Sequence, residues 1–575
     1  TWSRTTMHDD GSSGGDVIAN DGIYTALLTN YNKQGNIAQF YVESSSQDSQ
    51  VTMMPKLGPD RPAMFIVDGR EMKDNLLRER LILSNYDRRA LSSGGGSSYG
   101  FKFPRMSNHY FNATFIANES EIFYNAEIRK SGSPFTRDGG ASLAHGKWKL
   151  PGDRLFRERR RNVFDASGTS EGSGTPRFYD DRIARHFLYQ LGHPVNEMEF
   201  VHFAVNGDAF KLRENHEPIS NDFLNRNFDN GSEGTLLRID DEWRFTGDDG
   251  NARQSRNADW SYKSSDNPIQ YHSEWLMRSR EQDYDYSNFI EFVKAIGTRK
   301  FDEDSISRMA DRDMLCINAA VRGYDADWDT ITLNRGKNAY FYRPKGGRWM
   351  LIHWDGDRVF GNAGETFLGG LSGIRTYFDK PYIRRHLNYY LTELLTKLTK
   401  DSALTEAWMQ FETEAVAGTG INMTSSHYRN WFRSRERAAQ NFIGAPFRTE
   451  FKISTRSSFT NKSEFTLNGT SPSTVYDIRV AGQYSTQCDW TSTTAWALSG
   501  IKLKEGQNDL MLEAVNHEGK IVYSEEFKIT KREDSPPVIV VESNPSSRNL
   551  MMTDSIEFDA SKSFDPEGTE MTYDW

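Results

Sequence analysis

The chain has two cysteines in 575 residues, Cys316 and Cys488. That is too few for the disulfide frameworks that hold small secreted domains together. Cys316 lies in an apolar helical pattern and Cys488 in a β-type stretch, so no bridge between them is expected. No run of eighteen apolar residues occurs, which excludes a transmembrane helix of ordinary length within this sequence. Long basic runs are missing too: 70 Lys and Arg stand against 80 Asp and Glu, a net charge of −10. Nucleic acid is thereby excluded as a general partner. The one concentrated basic stretch, Arg157-Glu158-Arg159-Arg160-Arg161, reads as a solvated surface feature before it reads as a phosphate contact. The first residue is Thr1, not Met, which we read as a processed form or a fragment, with any signal or anchor outside this chain.

What is present is 37% hydrophobic and 13% aromatic residues over a length too great for one core, so several domains are expected. Residues 1–56 alternate Asp-Gly turns (Asp9-Asp10-Gly11, Asn20-Asp21-Gly22) with short β-type runs at 23–28 and 38–43. This is the pattern of a β-sandwich, here partial, and it resembles the end of immunoglobulin or fibronectin-like modules. Asp9, Asp10, Asp16 and Asp21 could hold a structural Ca²⁺, although Asp at such turns also serves backbone hydrogen bonds. Residues 57–445 mix strands with later amphipathic helices, at 182–191, 287–296, 306–321 and 382–398, and form the largest domain. A second sandwich is expected over 446–532. After Pro536-Pro537, residues 533–575 resemble the first part of a PKD-type sandwich. The Gly- and Ser-rich stretch 92–98 lacks the Lys-Ser/Thr ending of a phosphate-binding loop and reads as a surface loop.

Acidic chemistry concentrates between Asp325 and Gly361. The spacing predicts an acidic loop after a helix, then two strands at 338–342 and 349–353 joined by Lys345-Gly346-Gly347, then Asp355 and Asp357. A hairpin of that kind delivers the loop and the strand end to one edge. Hard carboxylate oxygens suit a Mg²⁺-bound triphosphate, and a further carboxylate suits an acceptor hydroxyl. Asp329 and Asn334 have the Asp-x-x-x-x-Asn spacing of a protein-kinase catalytic loop. An EF-hand reading fails, because Thr330 stands at loop position six and Gly336 at position twelve. Acids at a strand end also cap turns or pair with Arg335, Arg343 and Arg358.

Four blocks carry a wider likeness: His145 to Leu150, Val201 to Glu214 with Asn206-Gly207 at its turn, Asp327-Trp328-Asp329, and Asn338-Ala339-Tyr340-Phe341-Tyr342 leading to Trp354-Asp355-Gly356-Asp357. In this order they resemble the CotH family, spore-coat and secreted proteins with an atypical protein-kinase fold. The resemblance implies a central α+β kinase-like domain flanked by all-β sandwiches, in a multidomain protein that is secreted or on the surface of a bacterium. It implies ATP with Mg²⁺ or Mn²⁺ as cofactors and a protein substrate. Asp329 would be the catalytic residue, with Asp355, Asp357 and either Asn334 or Asn338 at the metal. Lys147 or Lys149 would reach the phosphates, and Glu214 would sit at the nucleotide. His353 departs from the family, which often has Pro there. The rival reading is a non-catalytic surface or adhesion protein whose sandwiches bind polysaccharide or a cell-surface partner. A two-metal hydrolase is disfavoured, because such sites recruit His and only His353 lies near in sequence.

Overall fold

Strand alternation in the first half of the chain builds a barrel. The computed structural model describes residues 2–29, 33–69, 75–92, 107–132, 143, 145–166, 179–240, 242–246, 251–299, 301–400, 403–419, 425–533, 535–544, 555–566 and 570–574. All but the first residue of the Gly/Ser stretch at 92–98 therefore lies outside the described residues. Seven strands, β1 (Leu77–Ile82), β2 (Phe111–Ala117), β3 (Glu121–Lys130), β4 (Gly146–Lys149), β5 (Arg161–Asp165), β6 (Met198–Val205) and β7 (Lys211–His216), close in the order β6-β7-β5-β4-β3-β2-β1. Parallel pairing of β1 with β6 makes the closure.

Successive side chains on a strand point to opposite faces. Phe115, Phe123, Trp148, Phe164 and Phe203 thus share one buried core, with Phe164 stacked on Phe203 at 4.2 Å. Burying each such ring contributes roughly 1.5–3 kcal/mol. Gly146 is required beside them, since a Cβ there would lie 2.2 Å from the Phe164 ring. One acid shares this face: Glu79 accepts hydrogen bonds from Trp148 Nε1 (3.0 Å) and Asn215 Nδ2 (2.5 Å). Burial pushes its carboxyl up to about 8.

A second sheet runs β9-β8-β10-β11, all antiparallel, from β8 (Thr235–Ile239), β9 (Trp275–Met277), β10 (Ala339–Arg343) and β11 (Met350–His353). β10 and β11 are the expected hairpin, each starting one residue later than its predicted strand. Helix α1 (Asp180–Gln190) leads into β6, and α2 (Arg312–Tyr324) packs on β11. The single helix expected at 306–321 is two helices, Glu303–Met309 and Arg312–Tyr324. Ala310 turns extended and bridges Trp349, and Asp311 caps the second helix by accepting from Met314 N (3.2 Å). A local capping choice thus interrupts an apolar spacing that continues through it.

Residues 2–56 carry an isolated bridge, His8 to Thr25, and strands Ile37–Phe40 and Val42–Ser45. The first of these strands pairs with Ala63–Ile66, beyond the boundary expected at 56, and the second with Val51–Met54. Contacts divide the chain into two compact units: Thr1–Tyr377 with Leu394–Ala439, and Phe378–Glu393 with Gln440–Trp575. The second unit holds two four-stranded sheets around a core that includes Leu467, Trp496, Leu498 and Leu512. It also takes in helix Pro381–Glu393, which the sequence assigns to the central domain. The reason is Arg385, whose guanidinium donates to the carbonyls of Pro472 and Val475 (both 2.6 Å) and lies over Trp490. In the last forty residues, Glu542–Asn544 pairs with Glu557–Asp559. Neither cysteine is in a disulfide, and no described helix is long and apolar enough to cross a membrane.

Candidate functional site

The chemistry gathers where the barrel's outer face, the start of α1, the loop after α2 and the turn after β11 meet. On β7, Glu214 and His216 alternate with the inward Asn215. On β5, Asp165 is the register partner of Glu214. His145, just before β4, pairs with Asp165 at 2.8 Å, and His216 Nε2 lies 3.4 Å from Glu214. Burial, then the charges of Asp165 and Asp181, pushes the Glu214 carboxyl well above its usual range.

α2 ends in the acidic loop, whose carboxylates form a chain of turns: Asp325 accepts from Asp327 N and Asp327 from Asp329 N, each at 3.2 Å. Arg322, fully buried in the last turn of α2, ion-pairs with Asp327 and donates to the carbonyls of Asn338 and Trp354 (both 3.2 Å). Asp329 is also buried. Its Oδ2 is held by Lys337 Nζ (2.9 Å) and Asn338 Nδ2 (3.2 Å), while its Oδ1 has no hydrogen-bond partner among the described residues.

Beyond β11, Asp355 feels first its own burial and then Asp165 and Asp181, with Lys337 in opposition, and its carboxyl rises to about 6. Asp357, about a third exposed, is pushed up by desolvation and by Asp355. Asp181, in the first turn of α1, behaves oppositely. Burial opposes its charge, but Arg185, His353 and His216 hold it well below the usual carboxylate range. Four non-glycine residues here take left-handed backbone: Ala326 (φ 61°), Asn338 (56°), Asp355 (60°) and Phe360 (51°). Such conformations cost about 1–3 kcal/mol each and persist where the surroundings over-determine them.

Of the residues singled out in the sequence, Asp329, Asn338, Asp355, Asp357 and Glu214 converge. Asn334 does not: it is exposed, and no hydrogen bond among the described residues ties it to Asp329. The two lysines separate. Lys149 is bound to Glu127 at 2.9 Å, whereas Lys147 is in register with Val163, which is itself in register with His216.

Residues 149–418 match the model of a family described as CotH kinase protein. This part of the chain, just under half of it, is similar to the CotH kinase family. No curated protein matches the chain. The CotH region takes in β5 to β11, α1, α2 and the acidic loop. Lys147 lies just ahead of it.

Sequence reasoning passed over Asp165, Asp181, His145, His216, Lys337 and Arg322. Two of these carried a signal. Arg322 is the one charge between Met314 and Tyr324, next to an acidic loop, and such a charge is buried only if paired. Lys337 directly precedes Asn338. The others are brought in by the pairing of β5 with β7 and by the contacts of α1 with the turn after β11, which no local pattern announces. The site gathers more carboxylates than cations, leaves Asp329 Oδ1 without a hydrogen-bond partner among the described residues and is rich in hard oxygen donors, with His145, His216 and His353 beside them. These properties fit a divalent cation with a phosphorylated ligand.

Proposed function

We propose that the CotH region transfers a phosphoryl group from ATP, taken with Mg²⁺ or Mn²⁺, to a hydroxyl of a protein. The observation that carries this reading is Asp329: buried, fixed through one oxygen by Lys337 and Asn338, with the other oxygen enclosed and without a hydrogen-bond partner among the described residues. A carboxylate so held can orient an acceptor hydroxyl and take its proton at Oδ1. Asp355 and Asp357 would hold the cation, with Asn338 as the nearby amide. The cation, when bound, neutralises phosphate charge. Lys147, aligned through Val163 with His216 on the outer barrel face, would meet the phosphates. Lys337, held on Asp329 Oδ2, adds positive charge beside the transferred group. Glu214, on the outer barrel face, would line the nucleotide side. Three histidines, His145, His216 and His353, stand at the site and bear on the hydrolase alternative. Each lies against a carboxylate, His145 on Asp165, His216 on Glu214 and His353 on Asp181, so the scarcity of histidine expected from the sequence does not hold in the fold. The acceptor expected is a secreted or surface protein of a bacterium.

The test is incubation with labelled ATP, divalent metal and a protein acceptor. Asp329→Asn should keep metal-dependent nucleotide binding and lose label transfer, and Asp355→Ala should lose both. Equal labelling by wild type and both variants would overturn the reading.

A further inference from the structure

His353 stands where the hairpin ends and is fully buried. Its two ring nitrogens are used on opposite sides. Nδ1 faces a guanidinium N–H of Arg322, which can only donate, so Nδ1 accepts and the ring proton sits on Nε2. Nε2 then donates to Asp181 Oδ1 at 2.7 Å. The same Asp181 oxygen accepts the backbone N–H of Gly356 at 3.2 Å, while Asp181 Oδ2 is held by Arg185 at 2.8 and 3.1 Å. Arg322 reaches onward to Asp327 and to the carbonyls of Asn338 and Trp354. The packing leaves no slack: a Cβ on Gly356 would lie 2.5 Å from Asp181 Oδ1 and 3.1 Å from His353 Cε1.

We propose that His353 is a positioning residue, a neutral imidazole that locks the Asp355-Gly356-Asp357 turn to helix α1 through Asp181 and to the acidic loop through Arg322. The metal-binding and hydroxyl-binding carboxylates are thereby set before a ligand arrives. The proposal rests on the reading of Asp355 and Asp357 as metal ligands. It goes beyond that reading by assigning this chain's own histidine, and the helix acid Asp181, the task of aiming them. Groups that orient the ligands of a metal commonly matter 10–100-fold in affinity or activity without touching the metal.

The test uses the full chain in four forms: wild type, His353→Leu, His353→Gln, and Phe292→Leu, a core change outside the hydrogen bonds of the lock, at a ring packed on Trp260 and Phe341. Two readouts are taken, Mn²⁺-ATP affinity and hydrogen exchange of the Gly356 amide. His353→Leu should weaken Mn²⁺-ATP about tenfold or more and speed Gly356 exchange by a similar factor. His353→Gln, which can still accept from Arg322 and donate to Asp181, should recover most of both. Phe292→Leu should leave both unchanged, even where its melting temperature falls as far. The proposal is overturned if His353→Leu keeps wild-type Gly356 exchange, or if Phe292→Leu reproduces its effects. Should wild type bind no Mn²⁺-ATP at all, the functional reading fails, and Gly356 exchange alone still decides for or against the lock.

Discussion

Two clusters of aspartate can be compared directly. In the first, Asp9, Asp16 and Asp21 bring carboxylate oxygens within 4.8 Å of one another. Those oxygens are engaged by the turns they sit in: Asp16 takes Gly11 N, and Asp9 takes the N–H groups of Asp21 and Gly22. Asp10 lies outside the cluster and takes Ser12 and Ser13 N. In the second, Asp325, Asp327 and Asp329 are buried and Asp355 and Asp357 half-buried, several carboxyls are pushed toward the neutral form, and one oxygen each of Asp325 and Asp329 has no hydrogen-bond partner among the described residues. Acid that closes a turn is already satisfied. Acid that is enclosed and unsatisfied is poised for a cation. The two stretches look alike in composition and differ in what their oxygens do.

The largest effect that could break this contrast is at Asp329. Asp329→Asn keeps the shape and loses the base, so label transfer should fall by about 10²–10⁴ while nucleotide affinity stays within a few fold. A smaller effect separates the two lysines. Lys147→Met should weaken nucleotide binding about tenfold, and Lys149→Met should leave it within about twofold, as read by titration with Mn²⁺-ATP.

Buried and exposed acids should also differ in pH dependence. Glu79 is raised by burial from 4.5 to about 8, so the folded barrel binds its proton more tightly than the unfolded chain does. Its contribution is fully present below pH 4.5 and is lost as pH rises through about 8. Glu79→Gln should therefore melt above wild type at pH 9, and the difference should shrink toward pH 5. Asp10 has the opposite sign. The Ser13 and Ser12 hydrogen bonds lower its pKa, so its contribution is present above the ordinary Asp range and is lost in acid. The smallest expected effect is at Asp16. Asp16→Asn should loosen the N-terminal turn by about 1 kcal/mol, seen as faster local amide exchange, and leave nucleotide binding unchanged.

The hairpin and its acidic turn were legible because period-two alternation, a Gly-Gly turn and aspartates at a strand end are local signals. β10 and β11 fall within one residue of the strands read from the sequence. The family was legible in the order of four short blocks. What could not be read depends on chain segments far apart. The antiparallel pairing of β5 with β7 joins strands separated in sequence by α1 and β6 and sets Asp165, Glu214 and His216 on one outer face. Asp181 looks like an ordinary acid in the first turn of a helix, and only the fold brings His353 and Gly356 to it. The choice between Asn334 and Asn338 could not be made from spacing, because Asn338 reaches Asp329 through a left-handed backbone turn that spacing does not encode.

The central claim is that the second aspartate cluster is a metal-nucleotide site and the first is not. Calorimetric titration of Mn²⁺-ATP into wild type, Asp355→Asn and Asp16→Asn tests it most directly. The account predicts saturable, metal-dependent binding to wild type and Asp16→Asn, and its loss in Asp355→Asn. Undiminished binding to Asp355→Asn, or no binding to wild type, would contradict it.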